Sequence, residues 1–161
     1  MTENIIQIKD DKVRRLKIVD QNGKATGDYL EFQMDDIELP LRYQEIQEKI
    51  KKNFQWLRNQ KLIIDKRQDV KGKKLMSKNE EDKIRALNEY YRKQEEAYNM
   101  FLGENGVKKL LAGRNMSWET FDEIDEIIEQ QILPYINQDT EDIVNRIVSK
   151  YGIDNDKNVI K

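Results

Sequence analysis

The sequence predicts an α+β fold that is mostly α: a small N-terminal antiparallel sheet of two or three strands, a long helical hairpin, and a C-terminal bundle of short helices. Three observations predict it. Alternating apolar and polar residues flank an Asn-Gly pair near the N-terminus. Two long stretches carry apolar residues at three-four spacing, the repeat of a helix with one covered face. Beyond residue 103 apolar residues are dense, but glycines and a proline cut them into short runs.

The elements follow in order. Residues 4–8 and 13–19 read as strands, with Leu16 and Ile18 alternating about Lys17. Asn22-Gly23 supplies the reversal, because both residues tolerate positive φ. Gly27 ends the loop and residues 29–34 return. A sheet this small needs a helix or partner over its apolar face. Pro40 opens the first helix, whose stripe of Tyr43, Ile46, Ile50, Phe54 and Leu57 runs to about residue 63. Residues 65–76 lack periodicity and hold Gly72 and five Lys/Arg, so an exposed, mobile loop is expected. Ser77 to Glu80 matches a capping box. The helix it opens carries Ile84, Leu87, Tyr91, Gln94, Tyr98 and Phe101, and Gly103 closes it. Val107 to Ala112 forms a turn or two before Gly113. Ser117 caps a helix bearing Trp118, Phe121, Ile124, Ile128 and Ile132, which Pro134 is expected to stop. A last helix from about Thr140 to Tyr151 should bury Ile143, Val144, Ile147 and Val148. The resulting organisation is a sheet (1–36), a hairpin (37–104) with basic loop 65–76, a short-helix subdomain (105–152), and a flexible tail (153–161).

Composition narrows the function. Apolar and charged residues each make up 37% of the 161 residues, against about 45–50% and about 25% in average globular chains. Cysteine and histidine are both absent. That removes disulfides, thiolate and imidazole metal sites, cysteine nucleophiles and Ser-His-Asp triads. No cofactor fingerprint, P-loop or nucleophile elbow is present. The start of the chain lacks a basic segment with an apolar run, and no apolar run approaches the length of a membrane span. A soluble, cytoplasmic protein is expected.

The net charge of -2 conceals segregation. Residues 41–76 carry eleven Lys/Arg against four acids, a balance of +7, whereas residues 117–145 carry nine acids and no base. Copies of the chain could therefore meet head to tail as a homo-oligomer. A basic patch of Lys66, Arg67, Lys71, Lys73 and Lys74, within 61–74, offers contact to phosphate and makes a nucleic-acid-binding accessory protein the alternative reading. It lacks the stacking aromatics or recognition helix such proteins use, so nucleic acid is the weaker partner. Asp35 and Asp36, and the acids from Glu119 to Glu129, are the dense carboxylates. Asp122, Asp125, Glu126 and Glu129 share a helix face where a divalent cation could bridge two of them, but no metal-loop pattern accompanies them, and a solvated face is the simpler reading.

The apolar density of 98–121 is more informative. Phe101, Leu102, Val107, Leu110, Leu111, Trp118, Phe121 and Ile124 crowd into short segments. They form either the core of this subdomain or a groove for another chain. The run Phe101-Leu102-Gly103-Glu104-Asn105-Gly106-Val107-Lys108-Lys109-Leu110-Leu111-Ala112-Gly113-Arg114, with the helix around Thr120 to Ile124, resembles the C-terminal pattern of tail assembly chaperones. These belong to long-tailed bacteriophages and prophages of Gram-positive bacteria. Leu111 stands where that pattern often has phenylalanine, and the hairpin of 41–102 is longer. The resemblance implies a non-enzymatic protein that binds the tape measure protein, keeps it soluble and helps recruit the major tail protein. It also implies residence in the host cytoplasm, absence from the finished virion, and a possible longer frameshifted form.

Overall fold

The structure, a computed structural model, describes residues 13–33 and 36–152. The strand expected at 4–8, Met34, Asp35 and the tail after 152 lie outside the described residues. The described chain is mostly helical with one small antiparallel sheet.

Strands β1 (Val13–Val19) and β2 (Ala25–Gln33) form that sheet, with Leu16 opposite Leu30 and Arg14 opposite Phe32. Asp20 makes the turn. Its carboxylate accepts the backbone N–H groups of Asn22 and Lys24, both at 2.9 Å, while Gly23 takes φ +76°. The loop is tighter than the sequence indicates, so β2 begins at Ala25 rather than 29. Gly27 lies inside the strand, near an irregularity between Lys17 and Val19 where the Thr26 hydroxyl donates to the Ile18 carbonyl. Ile18, Leu30 and Phe32 bury one face of the sheet.

Asp36 prepares the next element. Its carboxylate accepts the Glu38 backbone N–H and pairs with Arg42 at 2.5 Å. Helix α1 (Leu39–Lys66) follows, with Pro40 in its first turn. At a rise of 1.5 Å per residue its 28 residues extend about 42 Å. Helix α2 (Lys78–Leu102) returns alongside it. Ser77 Oγ accepts the Glu80 N–H, and the Glu80 carboxylate accepts the Ser77 N–H, a complete capping box. Ser77→Ala is expected to cost about 1 kcal/mol, read as a lower thermal midpoint with unchanged helical content.

The link between α1 and α2 is pinned rather than loose. Asn79 Nδ2 donates to the Ile64 and Arg67 carbonyls that end α1, the Asp69 carboxylate accepts the Asn79 N–H, and the Lys78 N–H donates to the Val70 carbonyl. Its side chains are exposed, as expected.

The hairpin seam follows the sequence stripe only in its lower half: Gln94, Tyr98 and Phe101 are buried, joined by Ala86 and Ala97, whereas Ile84 and Leu87 are exposed. Small residues let the helices approach, and buried Gln94 is satisfied: its Oε1 accepts from Asn53 Nδ2 at 2.9 Å and its Nε2 donates to Tyr90 Oη. Ile84, Leu87, Tyr91 and Tyr98 fall on one side of α2 at 100° per residue. The lower two are met by the Phe121 ring, at 5.8 and 5.5 Å between centroids. The helix bearing Phe121 begins only one turn earlier, so it ends the cover below Leu87.

Helix α3 (Gly106–Leu111) closes through Ala112 and Gly113, both left-handed. Helix α4 (Trp118–Ile127) starts at Ser117, where Ser117 and Thr120 cap each other. Pro134 does not stop the chain. A π-turn (Ile128–Ile132) widens the helix so that the Leu133 N–H donates to the Ile128 carbonyl, and helix α5 (Leu133–Tyr151) continues from it. The wider turn accommodates a ring that lacks an N–H and would crowd a regular helix. One core joins the sheet, the base of the hairpin, α3, α4 and the π-turn; Ile46, Val107 and Ile128 are fully enclosed in it.

Candidate functional site: exposed apolar helix faces and a tyrosine–carboxylate junction

The residues picked out as a partner groove are mostly core. Phe101, Leu102, Val107, Leu111, Phe121 and Ile124 are all buried. Phe101 packs between Phe32 and Tyr43, at 5.7 and 5.3 Å between ring centroids, tying α2 to the sheet and to α1. A groove reading of these six is corrected: their density in sequence reflects the convergence of several elements on one point. Leu110 is half-buried and lines a cleft of about 360 Å³ between β1 and α4, with Leu16, Ile127 and Arg114. Trp118 alone of the eight is mostly exposed, because it precedes the first covered turn of α4.

The uncovered apolar surface lies elsewhere. Ile136 is the last residue of α5 that is buried among those described. Beyond it Val144, Ile147, Val148 and Tyr151 are each more than half exposed, and Ile143 is partly buried. The sequence stripe is present, but among the described residues nothing buries it. The expectation of burial is therefore overturned for Val144, Ile147 and Val148 and met only in part at Ile143. Phe54, also more than half exposed, joins Ile84 and Leu87 as apolar surface on the outer hairpin.

The basic patch is partly neutralised. Arg67 Nη2 pairs with Asp82 at 2.6 Å and Lys74 Nζ lies 4.0 Å from Glu81. Lys61 and Lys83 both bind Asp65, at 2.7 and 2.6 Å. Hydrogen bonds from these two lysines hold the Asp65 carboxyl down at about 2. Asp69 is lowered by the Asn79 N–H, and Asp82 by Arg67. Lys66, Lys71 and Lys73 remain without an ion pair among the described residues. The first turns of α2 thus answer much of the charge that the loop brings, which leaves a smaller basic surface than the sequence balance implies.

The acidic face is divided. Glu119, Asp122 and Glu126 are exposed with no ion pair among the described residues, while Glu123 pairs with Arg114 at 3.2 Å. Asp125 is half-buried and Glu129 exposed, and each is met by a tyrosine: Tyr98 Oη donates to Asp125 Oδ1 at 2.6 Å, and Tyr43 Oη donates to Glu129 Oε1 at 3.4 Å. Burial, with Asp125 nearby, pushes the Tyr43 hydroxyl up to about 12. Burial likewise raises Tyr98 and Asp125 above their ordinary ranges. Sequence spacing placed these acids on one face, but the tyrosines facing them come from α1 and α2, up to 86 positions away. Among the described residues no group of three acids converges on a point that would hold a metal ion. No helix among them is long and apolar enough to cross a membrane.

No family model, curated protein or solved structure matches the chain.

Proposed function

We propose that this chain is a tail assembly chaperone: a non-catalytic protein of the host cytoplasm that binds the tape measure protein, keeps it soluble and helps recruit the major tail protein. The observation that carries the reading is the outer half of α5, an amphipathic helix with Val144, Ile147, Val148 and Tyr151 open to solvent. An apolar stripe on a helix is matched by the apolar stripe of another helix, and a long helical partner supplies such stripes repeatedly. Phe54, Ile84 and Leu87 are further exposed apolar side chains on the hairpin. The abundant charge of the other faces keeps such a complex dispersed. The resemblance at 101–114 names the partner class. In this reading those residues build the scaffold, and α5 and the outer hairpin make the contact.

Co-expression with a tape measure fragment encoded by a neighbouring gene tests the proposal. The fragment is expected to become soluble and to co-purify; unchanged insolubility of the fragment contradicts the reading. Homo-oligomerisation belongs to the same proposal. Glu119, Asp122 and Glu126 on α4 complement Lys66, Lys71 and Lys73 at the hairpin tip, all six without an ion pair among the described residues. Sedimentation is expected to show association at low salt that weakens at high salt.

A further inference from the structure

The hairpin tip carries a cavity of about 600 Å³. Val70, Gly72 and Met76 give it an apolar lining, and Lys73, Lys74 and Lys78 stand around them. The Lys78 N–H donates to the Val70 carbonyl at 2.9 Å, and the Asp69 carboxylate accepts the Asn79 N–H at 3.0 Å, so the walls are held in place before anything binds. Glu81 also lines the cavity, but Arg85 at 2.7 Å and Lys74 at 4.0 Å answer its charge. Lys78 lies 3.4 Å from Asp82, while Lys73 and neighbouring Lys71 have no ion pair among the described residues. An apolar hollow in a positive field is the result. Proteins that hold single-stranded nucleic acid stack its bases on aromatic side chains, and no aromatic residue lines this hollow.

The complement lies at the other end of the hairpin. Trp118, the first residue of α4, is 63% exposed. Glu119 is its neighbour, and Asp122 and Glu126 follow on the same side of the helix, none of the three with an ion pair among the described residues. The two features of one chain stay apart. Trp118 is one turn from Phe121, whose ring meets Tyr91, and about 20 Å of α2 separates Tyr91 from Lys78. We propose that Trp118 of one copy seats in the hairpin-tip cavity of the next, with Glu119 and Asp122 facing Lys71 and Lys73. The indole covers Val70 and Met76, and the acids around it meet the lysines around them. Tryptophan is enriched among the anchors that carry binding energy at protein interfaces. Because the two halves of the contact are different surfaces, it is head to tail, and its repetition gives a ring or an open series. The inference rests on the self-association within the proposed function, and it leaves the outer face of α5 free for the tape measure protein.

Sedimentation of the full chain tests the contact. The unaltered chain is expected to associate with rising concentration at about 50 mM salt and to dissociate at about 500 mM. Trp118→Ala removes the inserted ring, and Val70→Asp places an acid in the cavity; both alter exposed side chains. Each should weaken association about thirtyfold, the loss typical of a central tryptophan. Mixed in equal amounts, the two variants should form a 1:1 complex and nothing larger, because one keeps an intact cavity and the other an intact tryptophan. Should either fail to fold, fluorescence decides: in a Trp56→Phe chain the Trp118 emission should move to shorter wavelength on association, and unchanged emission overturns the proposal. Association undiminished by Trp118→Ala, or a mixture of the two variants that stays monomeric, overturns the contact while self-association by another surface stands. A chain that is monomeric at every concentration overturns both. A monomer that binds a single-stranded oligonucleotide, and loses it on Val70→Asp, overturns the contact in favour of nucleic acid.

Discussion

Replacing Phe101 with alanine is expected to lower the unfolding free energy by about 3–5 kcal/mol. The ring is buried between Phe32 of the sheet and Tyr43 of α1, so its removal opens a cavity where three elements meet. Small-domain stabilities run to about 5–15 kcal/mol. The loss is large for any protein in that range, and larger for one with only 37% apolar residues. Urea unfolding should show a lower midpoint, with the sheet and the hairpin unfolding together. Trp118→Ala provides the contrast. That side chain is mostly exposed, and its removal should change stability by no more than about 0.5 kcal/mol. Equal effects of the two substitutions would contradict the placement of the core.

Gly106→Ala is the second large effect. A Cβ at this position would stand 2.4 Å from the Leu102 Cβ, an atom fixed to the α2 backbone that no side-chain rotation removes. Either α3 shifts away from α2 or the core around Leu102 and Val107 opens. Overpacking of this kind costs about 1–3 kcal/mol. Gly72 is the control, since a Cβ there meets nothing within 4 Å and Gly72→Ala should be near neutral in a thermal melt. Gly103 is required for another reason, its φ of +93°. The two glycines of the Phe-Leu-Gly-Glu-Asn-Gly step therefore serve one purpose: they let the chain leave α2 and set α3 directly against it.

The parts of the fold written in short stretches of sequence were legible. Ser77 with Glu80 and Ser117 with its following helix mark starts by local hydrogen bonding, and Asn22-Gly23 marks the β-turn the same way. Properties set by distant residues were not. Ile84 and Leu87 share a helix face with Tyr91 and Tyr98, and the starting point of α4 decides which pair is covered. Ile143 to Val148 reads as a buried stripe because periodicity records which residues share a face, not whether anything lies against it. Pro134 signals a stop, but a widened turn accommodates it. Of the two readings the sequence left open for the candidate partner residues, core or groove, six of the eight belong to the core, because a dense apolar run marks the place where elements converge. The tyrosine–carboxylate junction was half legible, because the acids share one helix and the tyrosines that meet them do not.

The most direct measurement is partner capture by a chain altered only on the outer face of α5. Ile147→Asp with Val148→Asp alters two side chains that are each more than half exposed, so the thermal midpoint should be close to that of the unaltered chain. Co-expressed with the tape measure fragment, the unaltered chain is expected to keep the fragment soluble and to co-purify with it. The doubly substituted chain should be equally soluble by itself but leave the fragment in the pellet. A folded variant that solubilises and retains the fragment as well as the unaltered chain would contradict the assignment of α5 as the partner surface.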